Sequence, residues 1–314
     1  MREISIFSGT AHPKLTAEIY GHLGIPLKPA IMRRFANDYL EVQLQSNCRE
    51  RDVFLIQPLA APVQEHLVEL LLMLDAARGA SAARVTAVIP HYAYARSDKK
   101  NMPRVSIGGR LVADLLVAAG ASRVLTMTLH SPQVHGFFSV PVDHLHALSE
   151  IANHFRSRDL TNSVVVSPDL GNAKQAAALA KRLGLPVAAG AKERISDDKV
   201  TITSIIGDVA GRNVIVLDDE IARGTTIIEI LARLREHGAR SVRVACTHGL
   251  FCDGALKRIA AWPEVQEIVC TNTVAMAESE GTDRLHVISV APALAEAIRR
   301  IHEGESVSAL FHDH

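Results

Sequence analysis

Short apolar runs alternate with amphipathic runs along most of the chain. The apolar runs are rich in β-branched residues, which is typical of buried strands in a parallel sheet. The amphipathic runs repeat their apolar positions at helical spacing. The predicted strands are Asp52–Gln57, Arg84–Ile89, Arg123–Thr128, Ser163–Ser167, Asn213–Leu217, Ser241–Cys246 and Glu267–Thr271, and the predicted helices are Val63–Ala77, Gly108–Ala118, Lys174–Leu183 and Ile227–His237. This alternation predicts an α/β fold with doubly wound parallel sheets, whose ligands gather beyond the carboxyl ends of the strands.

The pattern also repeats within the chain. The segments Gly120–His130 and Gly238–His248 each combine a Gly-Ala turn, an apolar run and a His ten residues after the Gly. Two related α/β domains are the simplest account of this repeat. We therefore predict domains at residues 1–146 and 147–314, with the last helix a candidate to pack back on the first domain.

Charge and hydropathy exclude several classes of partner. Lys+Arg and Asp+Glu balance at 34 each, so no overall field favours nucleic acid or a membrane surface. No apolar run approaches the roughly 18–20 residues of a membrane span. The cysteines Cys48, Cys246, Cys252 and Cys270 show no CxxC spacing, which argues against a zinc site or a disulfide framework. We expect a cytoplasmic protein with neither nucleic-acid nor membrane partners.

One segment is typical of phosphate binding. The apolar run Val214–Leu217 ends in Asp218 and Asp219, and a Gly/Thr turn then leads into an amphipathic run. Backbone N–H groups at a helix start form an anion site, and the carboxylates can accept hydrogen bonds from sugar hydroxyls. The segment therefore indicates a phosphorylated sugar. The alternative is a surface turn with an Asp N-cap, and this segment alone does not separate the two.

A second segment is strongly basic. Arg96, Lys99, Lys100 and Arg104 are accompanied by one acid, Asp98, directly after a predicted strand. Arg and Lys match the oxygens of a polyphosphate. A solvated basic turn is the alternative, and the position at the carboxyl end of a strand favours the polyphosphate.

Several motifs occur in the order known from one enzyme family. The most specific are Tyr94-Ala95-Arg96-Ser97-Asp98, Ser167-Pro168-Asp169-Leu170-Gly171 and Asp218-Asp219. Through them the chain resembles ribose-phosphate diphosphokinase, the phosphoribosyl pyrophosphate synthetase family, over nearly its whole length. The resemblance implies two phosphoribosyltransferase-type domains. It also implies Mg²⁺-dependent transfer of the diphosphoryl group of ATP to O1 of ribose 5-phosphate, giving 5-phosphoribosyl 1-diphosphate and AMP for nucleotide biosynthesis.

The resemblance also implies roles for individual residues. The catalytic pair, on a flexible loop, would be Lys192 and Arg194. ATP would be bound by Phe35, Asn37, Arg96, Ser97, Asp98, Lys99, Arg104 and His130. Ribose 5-phosphate would be bound by Asp169, Asp218, Asp219, Ala222, Arg223, Gly224, Thr225 and Thr226. The metal would be held by His130 and Asp169, and the family assembles as a homo-oligomer built on dimers, up to a hexamer.

The chain departs from the family pattern at several positions. Thr128 stands where an Asp usually precedes the Leu-His pair, and Ser97 replaces the usual Gln. Arg223 is an added cation in the phosphate loop, where it could hold the 5-phosphate or block it. Phe35 resembles the aromatic residue that stacks on adenine from a neighbouring subunit, but a core Phe fits the sequence equally well. Two alternatives stay open: a non-catalytic paralogue that regulates a true synthetase, and a phosphoribosyltransferase.

Overall fold

The chain folds into two compact units. A computed structural model describes residues 3–26, 28–196, 199–276 and 282–310, and within 192–201, at 203 and at 309 it describes the backbone alone. The first unit comprises residues 1–146, 273–275 and 290–314, and the second comprises 147–272 and 276–289. The C-terminal segment is therefore part of the first unit. No helix among the described residues combines the length and apolar character needed to cross a membrane.

The first unit is built on a parallel sheet. Its elements before the second unit begins are β1 (Ile4–Ser8), α1 (Pro13–Leu23), β2 (Ala30–Arg34), β3 (Leu40–Leu44), β4 (Asp52–Ile56), α2 (Val63–Gly79), β5 (Arg84–Ile89), α3 (Gly108–Ala119), β6 (Arg123–Met127) and β7 (Val142–Leu145). The parallel strands are ordered β1-β4-β5-β6-β7, while β2 and β3 form a separate antiparallel hairpin. Every residue of β4 is buried, as expected for a strand covered on both faces.

The second unit is built on a larger sheet. Its elements are α4 (Leu148–Arg156), β8 (Ser163–Ser167), α5 (Ala173–Leu183), β9 (Val187–Ser196), β10 (Lys199–Ile206), β11 (Asn213–Ile221), α6 (Thr225–Glu236), β12 (Ser241–Gly249), α7 (Ala255–Ala260), β13 (Val265–Thr271) and β14 (Leu285–Ile288). The strand order is β10-β9-β8-β11-β12-β13-β14, and β10 runs antiparallel to β9. The chain then returns to the first unit as α8 (Ala291–Glu303), which packs on α1.

The order of strands reverses between β8 and β11. The strand that follows β8 in the chain, β9, lies on one side of it, and β11 lies on the other. Open α/β sheets bind their ligands outside the carboxyl ends of the strands at such a reversal. Asp169 follows β8, and Asp218 and Asp219 lie near the end of β11. The topology alone therefore directs three acidic residues to the favoured binding position of this unit.

The predicted fold class is confirmed, with two differences near the site. The predicted strand Asn213–Leu217 is too short, because β11 continues to pair with β12 as far as Ile221, so Asp218 and Asp219 lie within the strand. The predicted helix Ile227–His237 begins earlier, at Thr225, which places both threonines of the phosphate loop in its first turn. Both differences arise from pairing and capping that the apolar pattern does not reveal.

A cluster of charged residues around the buried Glu267 stabilises the second unit. The Glu267 side chain on β13 is buried, and its carboxylate lies 2.7 Å from His154 Nε2 and accepts a 2.8 Å hydrogen bond from the Arg158 guanidinium. Arg243 Nε lies 3.6 Å from the other carboxylate oxygen. Burial acts to raise the pKa of Glu267, but the hydrogen bonds from Arg158 and His154 outweigh it and lower that pKa. The ionised carboxylate therefore stabilises the folded unit.

We predict that Glu267→Gln lowers the free energy of unfolding at pH 7 by about 1.5–3 kcal/mol, the range for hydrogen bonds to charged groups. Because the folded-state pKa is depressed, this contribution is present above the unfolded pKa of about 4.3 and is lost as pH falls through the folded value. Urea unfolding followed by fluorescence of Trp262, the single tryptophan of the chain, measures it in this unit. An unchanged difference between native protein and variant down to pH 3 would contradict this account.

Candidate functional site

Two loops of the second unit are tied together at the strand reversal. Asp169 caps the short turn Leu170–Asn172, where its carboxylate accepts a 3.2 Å hydrogen bond from the backbone N–H of Asn172. The side-chain amide of Asn172 donates to the carbonyl oxygen of Leu217 at 2.8 Å. This bond links the turn after β8 to the residue that precedes Asp218. The role of Asn172 could not be predicted from the sequence, because its local pattern does not indicate a side chain that bridges two strands.

The pKa of Asp218 is perturbed by burial and by the neighbouring acids. The pKa of Asp218 is raised well above its ordinary value, first by burial, then by the negative charge of Asp219, and further by that of Asp169. The backbone N–H of Asp219 donates to the Asp218 carboxylate at 2.9 Å, which offsets part of this effect. Hydroxyl donors of a sugar, or a cation, would relieve the remaining repulsion. The site is therefore prepared for a polyol, a metal ion or both.

The predicted phosphate loop, residues 222–226, leads from β11 into α6. Gly224 has a φ of +70° and caps the helix, and a Cβ there would lie 3.2 Å from the Cβ of Ala255. Glycine is thus required both by the left-handed backbone and by close packing. The first N–H groups of a helix have no partner within it, so those of Thr225 and Thr226 suit a phosphate. Arg223 is exposed beside them, and Ala222 is half-buried.

The predicted ATP loop of the first unit follows β5. Arg96, Ser97 and Lys99 are among the residues that line a cavity of about 440 Å³. The hydroxyl of Ser97 accepts a 2.8 Å hydrogen bond from the backbone N–H of Gly108, which anchors the loop to the start of α3. Arg96 and Lys99 are exposed, as is Arg104, which lies on the same loop but outside the lining of this cavity. The loop thus presents cations on an anchored backbone.

Asp98 ties this loop to the one after β6. The hydroxyl of Ser131 donates to the Asp98 carboxylate at 2.6 Å, so the segments that carry Asp98 and His130 are neighbours. His144 Nε2 accepts a 2.8 Å hydrogen bond from the backbone N–H of Leu129. Thr128 sits at the turn with a φ of +43°.

The aromatic residue predicted to stack on adenine lies on the β2–β3 hairpin. The rings of Phe35 and Tyr39 stack with centroids 4.4 Å apart, and Phe35 is 38% exposed. The alternative of a core Phe is therefore wrong. Asn37 lies in the same turn and is exposed. The hairpin offers an aromatic surface to a planar partner.

The predicted catalytic pair lies in the β9–β10 hairpin. The backbones of Lys192 and Arg194 pair with those of Ile202 and Val200 in this hairpin. The side chains of Lys192 and Arg194, which carry the prediction, lie outside what the structure describes. Their roles stay predictions.

Metal binding was assigned to one residue of each unit, His130 of the first and Asp169 of the second. Within the described ranges, no group of three or more His, Cys, Asp or Glu residues is arranged to hold a metal ion. Asp169 carries carboxylate oxygens, the donor type that Mg²⁺ prefers, and a site with few protein ligands relies on substrate and water for the rest of the shell.

Comparisons with known proteins agree along the chain. Residues 4–120 match the family model for the N-terminal domain of ribose phosphate pyrophosphokinase, and residues 190–312 match the phosphoribosyl synthetase-associated domain. A ribose-phosphate pyrophosphokinase homologue from Streptomyces coelicolor is 70% identical over 99% of this chain and 98% of its own length. The ribose-phosphate pyrophosphokinase of Deinococcus radiodurans is 49% identical over 98% of this chain and 97% of its own. The chain belongs to the ribose-phosphate pyrophosphokinase family.

A solved structure confirms the fold expected of a ribose-phosphate pyrophosphokinase. The crystal structure of phosphoribosylpyrophosphate synthetase from Mycobacterium smegmatis superposes with a TM-score of 0.91 at 38% identity, covering 96% of this chain and all of that one. The phosphoribosyltransferase-type fold predicted from the motifs is thereby confirmed. So is the prediction that the chain is an enzyme, a transferase of nucleotide biosynthesis.

We predict that Asp218→Asn stabilises the ligand-free protein at pH 8 by about 0.5–2 kcal/mol, the range of common stabilising substitutions. A carboxyl whose folded pKa is raised loses stability as pH climbs from its unfolded value of about 3.9 through the folded one. The amide does not ionise, so the advantage of the variant should grow over that interval. Urea unfolding from pH 4 to pH 8, followed by Trp262 fluorescence, measures the difference in free energy of unfolding between the variant and the native protein.

Asp208→Asn is the matched control. Its carboxylate is exposed, and the hydrogen bond from Arg212 lowers the pKa of Asp208, which is the opposite shift. This substitution should therefore not stabilise the protein at pH 8. An Asp218→Asn variant that is less stable than the native protein at pH 8 would contradict the repulsion among the carboxylates.

Proposed function

We propose that this enzyme makes 5-phosphoribosyl 1-diphosphate by transferring the diphosphoryl group of ATP to O1 of ribose 5-phosphate, with AMP as the second product. The observation that carries the proposal is the position of Asp218 and Asp219 in β11, with Asp169 after the adjacent strand β8, directly before a phosphate loop whose Gly224 caps α6. This arrangement suits a ligand that has both a diol and a phosphate. Membership of the ribose-phosphate pyrophosphokinase family supports the same substrate class.

In this proposal, ribose 5-phosphate binds to the second unit. The carboxylates of Asp218 and Asp219 accept hydrogen bonds from the sugar hydroxyls, because ionised carboxylates are acceptors only. The 5-phosphate lies against the backbone N–H groups and hydroxyls of Thr225 and Thr226, with Ala222, Arg223 and Gly224 completing the loop. Asp169, linked through Asn172 to Leu217 of β11, would lie near both the sugar and the metal.

ATP is bound by the first unit. Arg96, Lys99 and Arg104 face the polyphosphate, where forked guanidinium groups match phosphate oxygens. Ser97 anchors their loop, and Asp98 links it to the segment that carries His130. In addition, the exposed ring of Phe35 stacks on the adenine, with Asn37 beside it in the same turn.

Mg²⁺ supplies charge neutralisation and orientation to the phosphoryl oxygens. Asp169 and His130 are the residues that would hold it, as the family resemblance implies. Water and phosphate would complete its shell, since Mg²⁺ keeps several waters and uses few protein groups. Thr128 replaces the usual Asp, which is consistent with a metal site in which the protein supplies few of the ligands.

The transfer needs positioning and charge stabilisation more than covalent help from the protein. The anomeric O1 forms a bond to the β-phosphorus while the bond from that phosphorus to the bridging oxygen of AMP breaks. AMP leaves with the electron pair, and the hydroxyl proton passes to solvent. Lys192 and Arg194 stabilise the negative charge on the transferring group.

We place the enzyme in the cytoplasm as a homo-oligomer built on dimers, up to a hexamer. All four cysteines are free thiols, as expected in a reducing compartment. The exposed Phe35–Tyr39 stack is an apolar surface of the kind that a neighbouring subunit or a base would cover.

We predict that the purified protein releases AMP from ATP when Mg²⁺ and ribose 5-phosphate are both present, and that Lys192→Ala lowers turnover by about 10²–10³-fold. The loss follows because the lysine is assigned to charge that develops during transfer. Chromatographic measurement of AMP and ADP with and without the sugar gives the answer. Lys181→Ala, which removes an exposed lysine from α5, is the matched control and should keep native turnover.

Near-native turnover in Lys192→Ala would remove that residue from the mechanism. ADP in place of AMP would overturn diphosphoryl transfer itself. A folded protein that binds ribose 5-phosphate but yields no AMP would instead support the regulatory paralogue.

A further inference from the structure

Arg223 is held at the edge of the phosphate loop by an acid from the next loop. Its Nε lies 3.0 Å from a carboxylate oxygen of Asp253, and the two side chains are 76% and 64% exposed. Ion pairs this exposed contribute little to stability, because water solvates both charges well. The pair can therefore separate at small cost when a stronger partner for the guanidinium arrives.

The backbones of the two loops are fixed independently of this ion pair. Arg258 on α7 donates to the carbonyl oxygen of Arg223 at 2.6 Å and also to the carbonyl oxygen of Asp253. The backbone N–H groups of Leu250 and Phe251 each donate to the carbonyl oxygen of Ile221 at 3.0 Å. The side chains of Arg223 and Asp253 can thus exchange partners while their backbones stay in place.

The backbone of Asp253 is itself unusual. Its φ is +55°, and Phe251 has a φ of +44°, both in the left-handed region that non-glycine residues rarely adopt. Such conformations persist where surrounding contacts impose them, and they concentrate at functional sites. Here the hydrogen bond from Arg258 to the carbonyl oxygen of Asp253 is one such contact. The left-handed conformation of Asp253 places its carboxylate beside Arg223.

We propose that Arg223 is a second anchor for the 5-phosphate of the sugar and that Asp253 holds it ready until the phosphate binds. The inference rests on the proposed function, which places the phosphate at the start of α6. Consecutive Cα atoms lie about 3.8 Å apart, so Arg223 begins one residue from Gly224 and the helix start. The long side chain of Arg223 therefore starts near enough to reach an anion bound at the start of α6.

The exchange is favourable because the two anions differ. A phosphate offers the guanidinium two parallel charge-assisted hydrogen bonds and carries more negative charge than a carboxylate. Asp253 thus competes with the phosphate for the guanidinium and slightly lowers the affinity for the substrate, while a sugar that lacks the 5-phosphate does not displace it. Arg223 and Asp253 together determine selectivity for the phosphorylated sugar.

The test is calorimetric binding of ribose 5-phosphate, ribose and inorganic phosphate to the full-length protein. Arg223→Met should weaken ribose 5-phosphate by about 10–100-fold, the effect of one charged hydrogen bond, and leave ribose unchanged. Asp253→Asn should tighten ribose 5-phosphate by about 2–5-fold, the effect of an exposed ion pair. In the double variant the gain from Asp253→Asn should disappear, because no arginine is left to release.

Two variants serve as matched controls. Asp208→Asn removes the acid of another exposed pair, in which Arg212 lies 3.0 Å from the Asp208 carboxylate. Arg240→Met removes an exposed cation next to the amino end of β12, at the opposite end of that strand from Asp253. Both should bind ribose 5-phosphate as the native protein does.

Several results would overturn the inference. Native affinity in Arg223→Met would remove the second anchor, and equal tightening by Asp253→Asn with and without Arg223 would show a general charge effect. If Arg240→Met weakened ribose 5-phosphate binding as much as Arg223→Met does, that too would show a general charge effect. A native protein that fails to bind ribose 5-phosphate would refute the proposed function together with this inference, whereas native binding with unaffected variants refutes the inference alone.

Discussion

Repulsion among carboxylates held close together is the constraint on which the chemistry of the second unit depends. Asp218 and Asp219 are consecutive in a strand, and Asp169 follows the strand beside it. The amide of Asn172 donates a hydrogen bond to the Leu217 carbonyl oxygen and so links the two strands at this position. Burial and the negative charges of Asp219 and Asp169 together raise the pKa of Asp218. In the proposed function, the sugar hydroxyls and a cation relieve this repulsion where the sugar is oriented.

In the proposed function, the two units bind substrates of different charge. The first presents Arg96 and Lys99 on a loop anchored by Ser97, which suits a polyphosphate. The second combines acids with the start of α6, which suits a sugar that carries one phosphate. Each unit places its groups after the carboxyl ends of parallel strands, so one architecture used twice yields two different specificities through its loops.

Much of this arrangement could be predicted from the sequence, because buried parallel strands and amphipathic helices leave strong local patterns. Asp218 and Asp219 could be predicted as candidate site residues because they end an apolar run. The extension of β11 to Ile221 was missed because it depends on pairing with β12, which is distant in the chain. The same holds for the hydrogen bond that His144 accepts from Leu129 and for the ion pair between Arg223 and Asp253. These contacts join separate loops, and no local pattern encodes them.

The central claim is that a diphosphoryl group moves intact from ATP to the anomeric oxygen of the sugar. Phosphorus NMR of the reaction mixture tests this most directly, because it reports which phosphorus atoms remain bonded through oxygen to each other. The account predicts a product with an unchanged 5-phosphate monoester and two mutually coupled phosphorus signals on the sugar, together with AMP. A sugar that gains a single uncoupled phosphate while ADP accumulates would contradict it.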